Sequence, residues 1–258
     1  MQRVAAIALN TFREAVRDRV LYNLIVFALL LIGTAILFGE ISIGIQTLIL
    51  INLGLTAITF FGLAIAIFIG IGLVYKEIDK RTLYALLSKP VRRYEFILGK
   101  FAGLALTLLV NIAFMTVGFF LALYYVKRSF DPTDASLLVA IYFIFLQLLL
   151  ATSLALLLSC FSSPVLAAAL TFGLFIAGSF ASDLRELSQA LEAPWLEAIM
   201  SAVYYAIPNF SNFNVITSVA HGHPVPAILV WGNTAYALLY IGVVLGGSVL
   251  IFQNRNLK

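Results

Sequence analysis

Charge is scarce in this chain, and its absences are organised. Lys, Arg, Asp and Glu make up 11% of the 258 residues. None falls inside five long tracts: Val20 to Gly39, Ile41 to Tyr75, Phe101 to Val126, Ala135 to Ser182 and Pro226 to Asn254. A bilayer core about 30 Å thick takes roughly 20 apolar residues per helical crossing, so each tract is long enough to span. The missing charge also argues against proton coupling, which usually needs an ionisable side chain at membrane depth. Cysteine is nearly absent too. A lone Cys160 excludes an internal disulfide and a multi-cysteine metal site, and reads as a small buried apolar residue near the end of a span.

Nucleotide chemistry is missing as well. No G-x-x-x-x-G-K-[ST] loop occurs; Gly99-Lys100 runs into Phe101, so a phosphate cradle cannot be built there. Neither an H-E-x-x-H helix nor a carboxylate pair lies in the apolar tracts, which leaves an intramembrane enzyme without a visible catalytic group.

What remains is grease: 62% of residues are hydrophobic, against roughly 45–50% apolar content in soluble domains. The fourth tract is long enough for two crossings, and Ser162-Ser163-Pro164 in its middle is a natural break because proline ends helices. The expected fold is an all-α polytopic membrane protein with six transmembrane helices, forming one domain over residues 1–258.

Basic residues orient it. With a cytoplasmic N terminus, 13 of the 16 Lys and Arg lie inside, leaving Lys127, Arg128 and Arg185 outside; the excess of positive charge marks the cytoplasmic side. Seven of the 12 acidic residues then fall outside, so the net charge of +4 is a sum of opposed faces and says nothing of nucleic acid. Both termini are expected in the cytoplasm. The first tract is as long as a full span and follows acidic as well as basic residues, which argues against a cleaved signal peptide.

Residues 1–19 precede the first span. Val4, Ile7, Ala8, Phe12, Ala15 and Val16 recur at helical spacing opposite Arg3, Asn10, Arg13, Glu14 and Arg17, the pattern of a helix lying in the membrane interface. Simple orientation charges before a signal anchor would give the same topology.

The loop at 76–100 is longer than a connection between adjacent helices requires. From Glu77 to Ser88 it lacks proline and glycine and stops just before Pro90, so a short helix is expected, with Leu83, Leu86 and Leu87 as an apolar ridge. A docking surface explains the ridge; a polybasic stretch binding anionic headgroups explains the basic residues but not the leucines. Residues alone leave both open.

The run Glu77, Thr82, Leu86, Leu87, Ser88, Lys89, Pro90, Arg93, Glu95, Gly99 and Lys100 resembles the first cytoplasmic loop of ABC type-2 exporter permeases. That resemblance implies a coupling helix inserted into a separate ATP-binding subunit, with Glu77, Arg81, Thr82, Leu83, Leu86, Leu87, Pro90, Arg93 and Glu95 as the coupling residues. It extends over most of the chain: lead-in helix, six spans, a short turn between the fourth and fifth, and a long outer segment. Arg81 stands where many relatives have glycine. The short loop from Glu40 to Gln46 and the segment Tyr204 to Asn214 look most like permeases of the copper-enzyme-maturation and sodium-efflux subgroups. The family implies two permease copies, alike or related, with two ATPase subunits in a bacterial cytoplasmic membrane. ATP and magnesium then belong to the partner, and this chain binds no cofactor.

Residues 183–226 form the long outer segment. Leu184, Leu187 and Leu191 repeat at helical spacing before Pro194, and Trp195, Leu196, Ile199, Met200, Val203 and Tyr204 make a second apolar run. Two short helices are expected at the outer interface, where Trp and Tyr anchor at headgroup level. The resemblance adds that such helices dip into the membrane as an outer gate, with Trp195, Tyr204, Tyr205, Pro208, Asn209 and Phe210 as its residues. His221 and His223 supply two imidazoles, too few for a four-ligand metal site.

Neutral polar residues sit within the spans: Asn52, Asn111, Gln147 and Asn233. Such side chains commonly hydrogen-bond between helices; they are also the candidates for a substrate path. Gly54, Gly62, Gly70 and Gly72 permit close helix approach, either within the chain or in a dimer. The leading expectation is the membrane subunit of an ATP-driven exporter. A non-transporting membrane scaffold or an intramembrane enzyme is the alternative, distinguished by whether an ATPase accompanies the chain.

Overall fold

The computed structural model describes residues 2–41, 44–79, 92–129, 131–183, 186 and 207–254. Its helices are α1 (Gln2–Val16), α2 (Arg19–Ile41), α3 (Gln46–Asp79), α4 (Arg93–Lys127), α5 (Ala135–Ser159), α6 (Pro164–Ser179), α7 (Ile216–Ala220) and α8 (Ala227–Asn254). Short 3-10 turns occupy Pro132–Asp134 and Phe210–Phe213. There is no strand among the described residues.

Five helices, α2, α3, α4, α5 and α8, are long and apolar enough to cross a membrane. The break at Ser162-Ser163-Pro164 forms as expected: α5 stops at Ser159 and α6 starts with Pro164 at its first turn, where the missing N–H has no helical partner to lose. Yet α6 has only 16 residues, about 24 Å at 1.5 Å per residue, short of a core of about 30 Å. The chain turns at Phe180 before Ala181 to Asp183 become helical again. At the C-terminal end of α6 another part of the chain packs on it: the Pro208 carbonyl and the Phe210 ring close on Gly178.

The long helix α3 is the axis of the bundle and packs against α2, α4, α5 and α6. Its glycines explain how. A Cβ at Gly54 would lie 2.4 Å from the Phe119 ring, and one at Gly62 would lie 2.4 Å from a Leu148 methyl. Gly70 faces Ala155 and Leu104 at 3.9 Å, whereas Gly72 has nothing within 4 Å. Three of the four glycines thus serve packing inside the chain. Dispersion is the gain, since helix association in lipid depends on close contact rather than on leaving water.

α1 is helical, and its apolar face lies against α4. The base of α4 carries Gly99 and Gly103 four residues apart, so one face has no side chains; α1 settles there. A Cβ at Gly99 would meet Ile7 at 2.6 Å, and one at Gly103 would meet the Ala8 carbonyl at 2.6 Å and Thr11 at 2.6 Å. Thr11 and Ala15 are fully buried in this contact.

Candidate functional site

Two ends of the bundle carry polar organisation. At the first, α1, the start of α4 and the end of α8 come together. Glu95 accepts the backbone N–H of Arg92 at 2.9 Å, which places a carboxylate at the positive end of the α4 dipole, and Arg3 approaches it at 3.9 Å. Arg93 donates through Nη1 to the Phe252 carbonyl at 2.7 Å, and the Phe96 and Phe252 rings stack at 5.6 Å. Lys100 is 1% exposed, with its Nζ 4.0 Å from the Glu14 carboxylate and 5.9 Å from the Phe96 ring centroid. A buried cation needs opposite charge or ring electrons nearby, and α1 supplies the former.

The second end is built of neutral groups around residues 207–216. The N–H of Asn209 donates to the Tyr236 hydroxyl at 2.9 Å, and the Asn233 amide donates to the Asn212 carbonyl at 2.7 Å. Asn209 also accepts from the Ser211 N–H at 3.1 Å and from the Ser211 hydroxyl. Its buried Nδ2 has no partner among the described residues. Phe210 packs on Phe175 at 4.9 Å, and Phe213 lies 6.2 Å from both Phe143 and Tyr236. Phe143 and Tyr236 lie eight and nine residues inside α5 and α8, so at 1.5 Å per residue the turn sits roughly 12–14 Å below those helix ends. This segment packs between the helices, against residues of α5, α6 and α8. At the same end Lys127 pairs with Asp131 at 2.6 Å and Asp134 at 2.9 Å, closing the α4–α5 hairpin.

Beside the 207–214 turn is a cavity of about 320 Å³ between α3, α5 and α6. Phe175, Phe210 and Phe213 form part of its wall; Thr56, Thr59, Gln147, Ser179 and Asn214 give it polar atoms. Thr59 donates to the Leu55 carbonyl at 2.9 Å and Ser179 to the Phe175 carbonyl at 2.7 Å, so both hydroxyl oxygens keep accepting lone pairs. Gln147 is 6% exposed and makes no hydrogen bond to the described residues.

The four neutral polar residues singled out from the sequence are not brought together. Gln147 lines the cavity. Asn52 bonds back to the Leu48 carbonyl at 2.9 Å, Asn111 to the Thr107 carbonyl at 2.6 Å, and Asn233 tethers the 207–214 turn. Of the coupling residues, Glu77 lies in α3, which continues to Asp79, while Arg93 and Glu95 are engaged within the chain. Arg81, Thr82, Leu83, Leu86, Leu87 and Pro90 lie outside the described residues, as do Trp195, Tyr204 and Tyr205. Pro208, Asn209 and Phe210 are buried in the 207–214 turn. Sequence reasoning missed Gly178, Tyr236 and the Gly99/Gly103 pair. The last was readable as G-x-x-x-G; the other two lack any local signal.

His221 holds the Thr217 carbonyl through Nδ1 at 2.8 Å, and among the described residues no group of three or more His, Cys, Asp or Glu side chains could hold a metal ion. Cys160 is buried, and its thiol donates to the Leu156 carbonyl at 3.2 Å.

No curated protein matches the chain significantly. The model of the family described as ABC-2 family transporter protein matches residues 5–257. With nearly its whole length matched and five membrane-crossing helices, this chain is an integral membrane protein belonging to the ABC-2 transporter family, the non-catalytic membrane component of ABC transport.

Proposed function

We propose that this chain is the six-span permease subunit of an ATP-driven exporter, with α6 as the shortened fifth span and the whole of residues 1–258 as one permease domain. The observation that carries the reading is the family match over 5–257. ATP, with magnesium, is hydrolysed by separate subunits, two per pair of permeases, docked on the coupling loop at 76–100. The base of that loop supports this role: Arg93, Glu95 and Phe96 are joined to α1 and α8, so a push on the loop reaches three helices at once. This end faces the cytoplasm of a bacterial inner membrane, with both termini there. The segment at 207–214 is the outer gate over the Gln147 cavity. A buried amide hydrogen without a partner at Asn209 makes its seated state less than fully satisfied, as suits an element that leaves its seat. The sodium-efflux and copper-enzyme-maturation permeases remain the subgroups it resembles most.

Leu86→Asp and Leu87→Asp test the coupling assignment, because an unpaired charge buried in a docked interface is costly. Each substitution is expected to abolish co-purification of the ATPase while leaving the permease inserted. Retention of the ATPase by both variants would overturn the coupling role. In a Cys160→Ser background, Ser218→Cys should react with an impermeant thiol reagent in intact cells, and Ser88→Cys only after permeabilisation. External labelling of Ser88→Cys would reverse the orientation and sink the coupling role with it.

A further inference from the structure

We infer that the cavity beside the 207–214 turn takes an uncharged amphiphile, its hydrogen-bonding head at Gln147 and its single apolar tail along the seam between α3 and α6. This rests on the exporter reading and names the chemical class of what that exporter moves.

Charge comes first. Among the described residues, no ionisable side chain lines the cavity. An ion placed there would give up its hydration with no counter-charge in return, so a charged head is disfavoured. A wholly apolar ligand fails for the converse reason: it would cover the amide of Gln147, itself only 6% exposed, and leave it without a partner. A head bearing hydroxyl, ester or amide groups satisfies both conditions. Gln147 offers a donor and an acceptor, and Thr59 and Ser179 offer acceptors to a hydroxyl.

Shape supplies the tail. A second cavity of about 320 Å³ continues along the same seam, sharing Phe60, Leu63 and Phe172 with the first and extending past Ala64, Ile67, Phe68 and Ala168. Its described lining residues are all apolar. The polar chamber is therefore continuous with a groove that can hold hydrocarbon but offers nothing to a second polar group. Phe60, Phe68 and Phe172 at its edge are 57%, 61% and 44% exposed, so the groove opens sideways, and a molecule dissolved in the bilayer reaches it without crossing water. Each cavity is at the lower end of the size range of small-molecule sites, about 300–1,000 Å³, which suits one chain rather than two.

The test uses the full chain in nanodiscs without an ATPase, and a monoacylglycerol probe with a diazirine in its tail. Crosslinks should map to the α3 and α6 residues 60–68 and 168–172. Unlabelled monoacylglycerol should compete; a lysophosphatidate and an alkyltrimethylammonium of the same chain length should not. Gln147→Leu should weaken labelling about fivefold to tenfold, the loss of one buried hydrogen bond. Ala168→Trp, which fills the groove, should remove it while the thermal unfolding midpoint stays near that of the parent. Equal competition by either charged lipid, displacement by sodium ions alone, or labelling indifferent to both substitutions would overturn the proposal. Because no ATPase is present, the outcome is independent of the coupling test. ATPase docking with no selective labelling removes the ligand class only; selective labelling with no docked ATPase removes the exporter reading and leaves the site.

Discussion

The two ends of this bundle are held by different physics. At the α1 end, contacts are made by glycines with backbone against them, by a buried lysine beside a glutamate, and by an arginine on a carbonyl. At the other end, residues 207–214 are held by two neutral hydrogen bonds, ring contacts and one glycine seat at Gly178. Lys100 is buried, and a buried cation that loses the opposite charge beside it is costly to leave uncompensated; a neutral hydrogen bond contributes about 0.5–1.5 kcal/mol. The first arrangement resists separation, and the second can open and reseat cheaply. For the exporter proposed above, a stiff input and a reversible gate are what this difference would supply.

The sharpest break is expected at Gly103→Leu. The new Cβ would meet the Ala8 carbonyl at 2.6 Å, and a backbone atom cannot swing aside, so α1 must leave α4. Overpacking of this kind costs about 1–3 kcal/mol or more. Thermal unfolding in detergent should show the loss, and protease should then cut within α1. Gly72→Ala, with open space around it, is the matched control and should leave both measurements unchanged. A midpoint for Gly103→Leu equal to that of Gly72→Ala would show that the α1 contact is not stiff.

The turn at 207–214 should respond at smaller cost. Gly178→Val pushes on the Pro208 carbonyl, which lies 2.2 Å from where a Cβ would stand, and should unseat the turn while the bundle stays folded. With Cys160→Ser and Ser211→Cys as reporter, external thiol labelling should rise strongly. Tyr236→Phe removes the hydroxyl that accepts from the Asn209 N–H, a bond worth about 1 kcal/mol, so labelling should rise about fivefold. If Tyr236→Phe exceeded Gly178→Val, hydrogen bonding rather than steric seating would hold the turn.

These differences also mark what could be read from the sequence. Uncharged tracts favour spans because an unpaired charge in lipid is costly, and Pro164 imposes the break; both are local facts, and five helices of spanning length and the break at Pro164 are present. The length of α6 was not legible. Its tract from Pro164 to Ser182 holds no charge, and neither the turn at Phe180 nor the seat that Gly178 offers Pro208 and Phe210 has a local signal. Of the four neutral residues, Gln147 alone reaches the cavity, because in lipid an asparagine can satisfy its N–H on its own helix, as Asn52 and Asn111 do. That choice depends on neighbours the sequence does not identify. The G-x-x-x-G at Gly99 was visible, but its partner, α1, was expected to lie on lipid headgroups.

The smallest expected effect separates two accounts of the α4 base. From the sequence, Arg92 and Arg93 read as exposed charges whose replacement weakens a screened, salt-dependent attraction. Placed in the fold, Arg93 donates to the carbonyl of Phe252, a bond with one charged partner, part-buried, and therefore little affected by added salt. Arg93→Met should free the end of α8, seen as faster amide hydrogen exchange at residues 250–252. ATPase co-purification should fall less than with Leu86→Asp, and by the same factor at low and high salt. Arg92→Ala should show a loss that fades as salt rises. Equal salt dependence for the two would mean that Arg93 acts as a surface charge, and the link from loop to α8 would then rest on the Phe96–Phe252 stack.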